Sequence, residues 1–255
     1  MDFSGRGTPL SEDGFKSRTD RLGIDLASLW AVVRVETSGV GFLPDRRPQI
    51  LFERHVFARQ TAGRFNATNP AISNPDPGGY GLRGAPQYAR LADAIQLDRR
   101  AALRSASWGL GQVMGFHAEA LGYQDVEAMV ASMTAAEDEQ LRAMTVFIEN
   151  TGLHHSLQRE DWAAFARGYN GSGFAANRYD EKLRQEYARL RAGDLPDLRV
   201  RAAQVYLGYA GFDPGPVDGV IGSRTQAALR KFQSNADLVA TGVLDDDTFR
   251  RLASA

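Results

Sequence analysis

Glu36 is the residue whose place in the sequence most invites chemistry. It follows Leu26, Leu29 and Val33 at helical spacing, so a carboxylate closes an otherwise apolar stripe. Thr37-Ser38-Gly39 comes next, and Ser-Gly is a helix stop. A carboxyl at the C-terminal end of a helix, partly out of water, keeps its proton through desolvation and the negative end of the helix dipole. Such a group can act as a general acid, which the leaving oxygen needs when a glycosidic bond breaks. Position alone fits a Glu salt-bridged at a helix end better. The functional case therefore depends on the surrounding motifs.

The elements that must position Glu36 read as mainly α. Leu22, Leu26, Leu29, Trp30 and Val33 predict a helix over Asp20 to Thr37. Pro44, Pro48, Pro70, Pro75 and Pro77 then break the chain, with a short strand expected at Gln49 to Glu53. Residues 66–84 form a long Asn/Pro/Gly loop, of a length that is usually functional or disordered. Helices are expected at Gln87–Arg104, Ser107–Leu121, Thr134–Asn150, Asp161–Arg167 and Ala175–Leu190, with Thr134 and Glu137 as a capping box. Met129, Met133 and Met144 read as core. Gly193 and Pro196 end the last helix, and Asp197 is placed to cap the next one.

Composition removes several chemistries. The 255 residues contain no Cys, which excludes disulfides, thiolate metal sites and a Cys nucleophile. The net charge of -1 argues against nucleic-acid or membrane binding driven by bulk electrostatics. The His residues are His55, His117, His154 and His155, with no His-Glu-x-x-His, so neither a metal nor another cofactor is expected. Gly-x-Ser-x-Gly is absent, leaving a Ser nucleophile unsupported. The N-terminus lacks the basic and apolar regions of a secretory signal, and no apolar run is long enough to span a bilayer. Synthesis in the cytoplasm without a signal peptide is the expectation.

The C-terminal part contains an internal repeat. Residues 217–229 align with 240–252, matching Gly219 to Gly242, Val220 to Val243, Ile221 to Leu244, Thr225 to Thr248 and Leu229 to Leu252. Each copy is a Gly turn, two apolar anchors, a polar cap and an amphipathic helix, with Ser223 and Gln226 as a capping box in the first. With a helix from Asp197 to about Gly208, this makes three short helices. The run Ala203-Gln204…Leu207-Gly208, Gly211-Phe212, Val217 to Gly222, Thr225, Phe232-Gln233, Gly242 and Thr248 resembles the three-helix peptidoglycan-binding domain of cell-wall hydrolases. That resemblance makes Asp218 and Arg224 candidate wall contacts.

Upstream, Val35-Glu36-Thr37-Ser38-Gly39, Ser107-Trp108-Gly109-Leu110-Gly111-Gln112 and Gly168-Tyr169-Asn170-Gly171 occur in that order. They resemble the goose-type lysozyme and lytic-transglycosylase superfamily. The longer runs VETSGVGFLPDRRPQILFERHVF and AISNPDPGGYG are similar to the N-acetylmuramidase domain of modular phage endolysins. The resemblance implies a catalytic domain over 1–191, a linker at 192–196 and a wall-binding domain over 197–255. It makes Glu36 the catalytic acid and Glu53 the leading second carboxylate, as base or electrostatic stabiliser. Glu53 is equally compatible with a structural tie to Arg54 or Arg47. Asp45 and Asp76 are poorer candidates. Ser107 and Gln112 would meet sugar N-acetyl groups, and Tyr80, Tyr169 and Asn170 would line the groove. Aromatic residues here also read as core.

The implied activity is hydrolysis of the β-1,4 bond between N-acetylmuramic acid and N-acetylglucosamine by a monomer that reaches the wall after membrane permeabilisation. A lytic transglycosylase forming 1,6-anhydro ends, a non-catalytic wall binder, a zinc amidase or peptidase lacking its ligand pattern here, and a secreted antibacterial effector are the alternatives.

Overall fold

The apolar stripe leading to Glu36 is the second of two helices, not the end of one. In the computed structural model, which describes residues 3–36 and 39–254 (the side chains of Glu36 and Ser172 excepted), α1 spans Glu12–Leu22 and α2 spans Leu26–Glu36. The break corrects the single helix expected from Asp20, and Thr37 lies outside the described residues. Gly23 takes a left-handed conformation that closes α1, and the Asp25 carboxylate accepts from the Ser28 N–H at 2.7 Å to start α2.

The chain forms two compact units. The first takes residues up to Gly7, Gly41–Leu43 and Arg47–Phe147. It holds a three-stranded antiparallel sheet in the order β1 (Ile50–Phe52), β2 (Ala106–Trp108) and β3 (Val113–Met114), with Leu51 opposite Ser107 and Trp108 opposite Val113. The motif around Ser107 was expected to be helical over 107–121. It is instead a hairpin followed by short 3-10 turns, because Gly109 and Gln112 adopt positive φ and no helix passes through such a pair. Around the sheet lie α3 (Arg54–Gln60), α4 (Pro86–Leu97), α5 (Arg99–Arg104), α6 (Val126–Met133) and α7 (Glu137–Asn150). The helix expected over Gln87–Arg104 divides at Asp98, whose carboxylate caps α5 through the Ala101 N–H. Thr134 is not the cap of α7: its hydroxyl donates to the Ala131 carbonyl at the end of α6. Phe52, Phe57, Leu91, Leu103, Trp108 and Leu110 are fully buried in this unit's core.

The second unit takes Thr8–Val40, Pro44–Arg46 and the chain from Ile148 onward. It adds α8 (His154–Gln158), α9 (Trp162–Asn170) and α10 (Tyr179–Ala192). Helix α10 packs along α2. Phe15 of α1 stacks on Trp30 of α2 with ring centroids 4.5 Å apart.

The last part of this unit is α11 (Leu198–Tyr209), α12 (Ser223–Asn235) and α13 (Asp246–Ala253) around Leu207, Leu229, Phe232 and Leu252. Asp197 caps α11 through the Val200 N–H, as expected. Ser223 is the first residue of α12, not its cap, and Gly222 stands at the cap position. The repeat has a physical core. Buried Gln204 accepts from the Gly219 N–H and donates to the Val220 carbonyl and the Thr225 hydroxyl. Buried Gln233 accepts from the Gly242 N–H and donates to the Val243 carbonyl and the Thr248 hydroxyl. Each amide fastens the turn before the next helix. Replacing Gln204 or Gln233 with Leu strands these groups in the interior. Each variant should lose about 2–3 kcal/mol of stability, measured by urea unfolding.

Candidate active site

Strand β1 ends at Phe52 and α3 begins at Arg54, so Glu53 sits at a strand-to-helix corner with its backbone extended. The Glu53 N–H donates to the Ser105 carbonyl, which fixes the corner to the start of β2. The carboxylate is largely buried, with 16% of its side chain accessible. The His55 Nδ1 lies 3.2 Å from Glu53 Oε2, and the Tyr80 hydroxyl hydrogen-bonds the same carboxylate. Burial pushes the carboxyl above its ordinary value, while the His55 charge and the Tyr80 hydrogen bond pull it back part of the way. The Tyr80 hydroxyl is raised in turn, first by burial and then by the adjacent Glu53 charge. Arg54 donates to the Asp76 carbonyl and Arg47 lies over the Tyr88 ring at 4.2 Å, so these arginines have other work.

Tyr80 reaches Glu53 because the long loop is fastened at several points. Ser73 donates to Asn66 at 2.6 Å, Arg90 donates to the Ala71 carbonyl, and Arg54 holds Asp76. Gln87, fully buried in the first turn of α4, does the most. Its Nε2 donates to the carbonyls of Tyr80 and Leu82, both at 2.7 Å, and its Oε1 accepts from the Phe52 N–H at 3.1 Å. One amide thus ties the Tyr80 loop to the strand that delivers Glu53.

The Ser107 hydroxyl donates to Gln112 Oε1 at 2.9 Å, and Gln112 Nε2 donates to the Gly109 carbonyl at 2.8 Å. Both side chains thereby lock the β2–β3 turn. Asp45 and Asp76 stay on loop backbone, the former within the second unit.

In that unit, α10 clamps α2 at both ends. Asp25 at its start accepts from the Tyr187 hydroxyl at 3.2 Å and pairs with Arg191, and Arg34 in its last turn pairs with Glu186 at 2.8 Å. Burial, together with Glu160 and Asp25, pushes the Tyr187 hydroxyl up to about 12. Glu36 closes this clamped helix, and its side chain lies outside the described part of the structure. Tyr169 and Asn170 form the end of α9, where Tyr169 stacks on Phe165 with centroids 5.4 Å apart. In the C-terminal part, the Asp218 carboxylate accepts from the Val220 N–H and Gln204, closing its own turn, while Arg224 pairs with Asp213. Among the described residues no group of three or more His, Asp or Glu is placed to hold a metal ion. No described helix is long and apolar enough to cross a membrane.

His55 and Gln87 were not singled out as site residues from the sequence. A Gln on the α4 face that also carries Tyr88, Leu91 and Ala94 was the available signal for the second, because a polar residue on a core face needs partners inside.

A small sheet that delivers a buried carboxylate, set among helices and followed by a three-helix module, is the organisation of a lysozyme-like glycoside hydrolase with a wall-binding module. Residues 25–191 match the N-acetylmuramidase family, and residues 197–252 match the putative peptidoglycan binding domain. The chain is similar to the crystal structure of the Burkholderia AP3 phage endolysin, at 44% identity and a TM-score of 0.68, with 72% of each chain covered. No curated protein matches the chain. The chain belongs to the N-acetylmuramidase family and is a peptidoglycan hydrolase tethered by a binding module.

Two outcomes follow from this geometry. A carboxyl raised on folding stabilises the protein below its unfolded value and loses that contribution as pH rises through the folded value. Glu53→Gln should therefore raise the Tm near neutral pH, and the gain should vanish in acid; calorimetry at both pH values checks it. Gln87→Leu should cost about 2–3 kcal/mol in urea unfolding, since it orphans the Phe52 N–H and two carbonyls.

Proposed function

We propose that the chain is an endolysin of phage type that cleaves the β-1,4 bond between N-acetylmuramic acid and N-acetylglucosamine by hydrolysis. Glu36, at the end of α2, is the general acid that protonates the leaving oxygen. Glu53 is the second carboxylate, and as a base it activates water on the opposite side of the sugar ring. Its partly desolvated state favours this role, because a raised carboxyl is a stronger base when ionised. Tyr80 and His55 hold it in one orientation. Ser107 and Gln112 meet the sugar N-acetyl groups from the turn they lock. Tyr169 and Asn170 line the groove. The catalytic domain covers 1–191 and the wall-binding domain 197–255, with Asp218 and Arg224 at or near wall contacts. The enzyme works as a monomer, without nucleic acid, cofactor or metal. It reaches the periplasmic wall once the membrane is permeabilised.

The observation that carries this reading is the largely buried Glu53 carboxylate, contacted by Tyr80 and His55, within a domain matched to the N-acetylmuramidase family. A transglycosylase needs a single acid/base carboxyl and no water, so a second buried carboxylate favours hydrolysis. Mass spectrometry of digested muropeptides should show reducing ends, and dominant 1,6-anhydro ends would reverse the assignment. Glu36→Gln should lower turnover by about a thousandfold or more, and Glu53→Gln by about a hundredfold, with both chains folded. Lysis of outer-membrane-permeabilised cells by Glu36→Gln at the native rate would remove that residue from the mechanism.

A further inference from the structure

Arg201 is 1% exposed, yet it belongs to α11 of a small three-helix module that has its own apolar core. A guanidinium so far from water needs hydrogen-bond acceptors of good geometry. One of its partners is the Gly39 carbonyl, 2.5 Å from Nη2 and 162 residues away in the chain. Gly39 stands three residues beyond Glu36, the last residue of α2, in the sequence.

Three further contacts join the same two regions. Gly39 has φ 92°, and a Cβ there would stand 3.0 Å from the Val217 carbonyl oxygen, so backbone meets backbone at this point. Arg34, in the last turn of α2, comes within 3.5 Å of the Asp218 carbonyl while its Nε pairs with Glu186. The Arg46 guanidinium lies 5.1 Å from the centre of the Tyr209 ring. Arg34 and Gly39 bracket Glu36 in the sequence, and both are held by the module.

We propose that the C-terminal module is a structural part of the catalytic domain, with Arg201 the positioning residue that, together with the contacts of Arg34 and Gly39, fixes the last turn of α2, the helix that carries Glu36. The inference builds on the assignment of Glu36 as the acid. A module that only tethered the enzyme would need a flexible link and no preferred seat. Here five residues separate α10 from α11, and a buried charge is committed to the catalytic segment. The gap between a general acid and its leaving oxygen tolerates little displacement, so a loosened helix end lowers turnover more than binding.

The test uses the full chain and short soluble peptidoglycan strands, on which wall anchoring brings no advantage. Arg201→Met should lower kcat about tenfold or more while leaving KM within about twofold and co-sedimentation with insoluble wall unchanged. Arg201→Lys should recover part of the loss, because an ammonium can still serve a carbonyl acceptor. Native kcat in a folded Arg201→Met chain would overturn the proposal, as would a loss confined to co-sedimentation. Should Arg201→Met melt below the assay temperature, Arg46→Gln decides, since it loosens the seam from outside the module. A kcat reduced about twofold with native Tm supports the proposal, and native kcat overturns it. Glu36→Gln run alongside separates the two claims. If it retains activity the acid assignment fails whatever Arg201 does; if it is dead and Arg201→Met is fully active, only the positioning role fails.

Discussion

Buried glutamine amides hold the irregular parts of this chain in place. A mainly helical protein satisfies most of its backbone polar groups within its helices, but its turns must find partners elsewhere or lose stability. Gln87, Gln140, Gln204 and Gln233 are all fully buried, and each serves backbone from a different segment. Gln140 accepts from the Leu110 N–H at 2.7 Å and donates to the Met133 carbonyl at 2.9 Å. A neutral amide offers an acceptor and two donors on a flexible arm, without the desolvation cost of a charge. The Ser107 turn, the Tyr80 loop and both repeat turns of the C-terminal module depend on this device.

Charge does different work at the elements of the two candidate carboxylates. Ion pairs and caps fix α2 through Asp25, Arg34 and their partners on α10, giving a rigid platform that ends at Glu36. Glu53 is treated differently: it is withdrawn from water beside a hydroxyl and an imidazole, at a corner where strand becomes helix. The withdrawal of Glu53 from water destabilises its ionised form, a cost of a kind that active sites commonly carry.

Much of this was legible in the sequence. Periodicity exposed α2 and the C-terminal helices, and the run from Val35 to Phe57 carries a family resemblance that the match over residues 25–191 bears out. Local pattern failed where backbone conformation overrode propensity. The segment 107–121 has helical composition, but positive φ at Gly109 and Gln112 makes it a hairpin. Asp98 and Gly23 each split an expected helix because caps compete with apolar periodicity over short distances. The contacts of Gln87 and Arg201 join distant segments. No single window of sequence reports that a Gln in α4 serves a loop carbonyl, or that an Arg in α11 serves Gly39.

The spacing of the two C-terminal amides bears on how the module is made. Gln204 lies on α11 and secures the turn before α12; Gln233 lies on α12 and secures the turn before α13. The repeating unit is thus a ratchet: each helix carries the catch that sets the next one. Helix α13 reads DDTFRRLA and carries no glutamine. Helix α13 is therefore set by a catch on its predecessor and carries none of this kind itself.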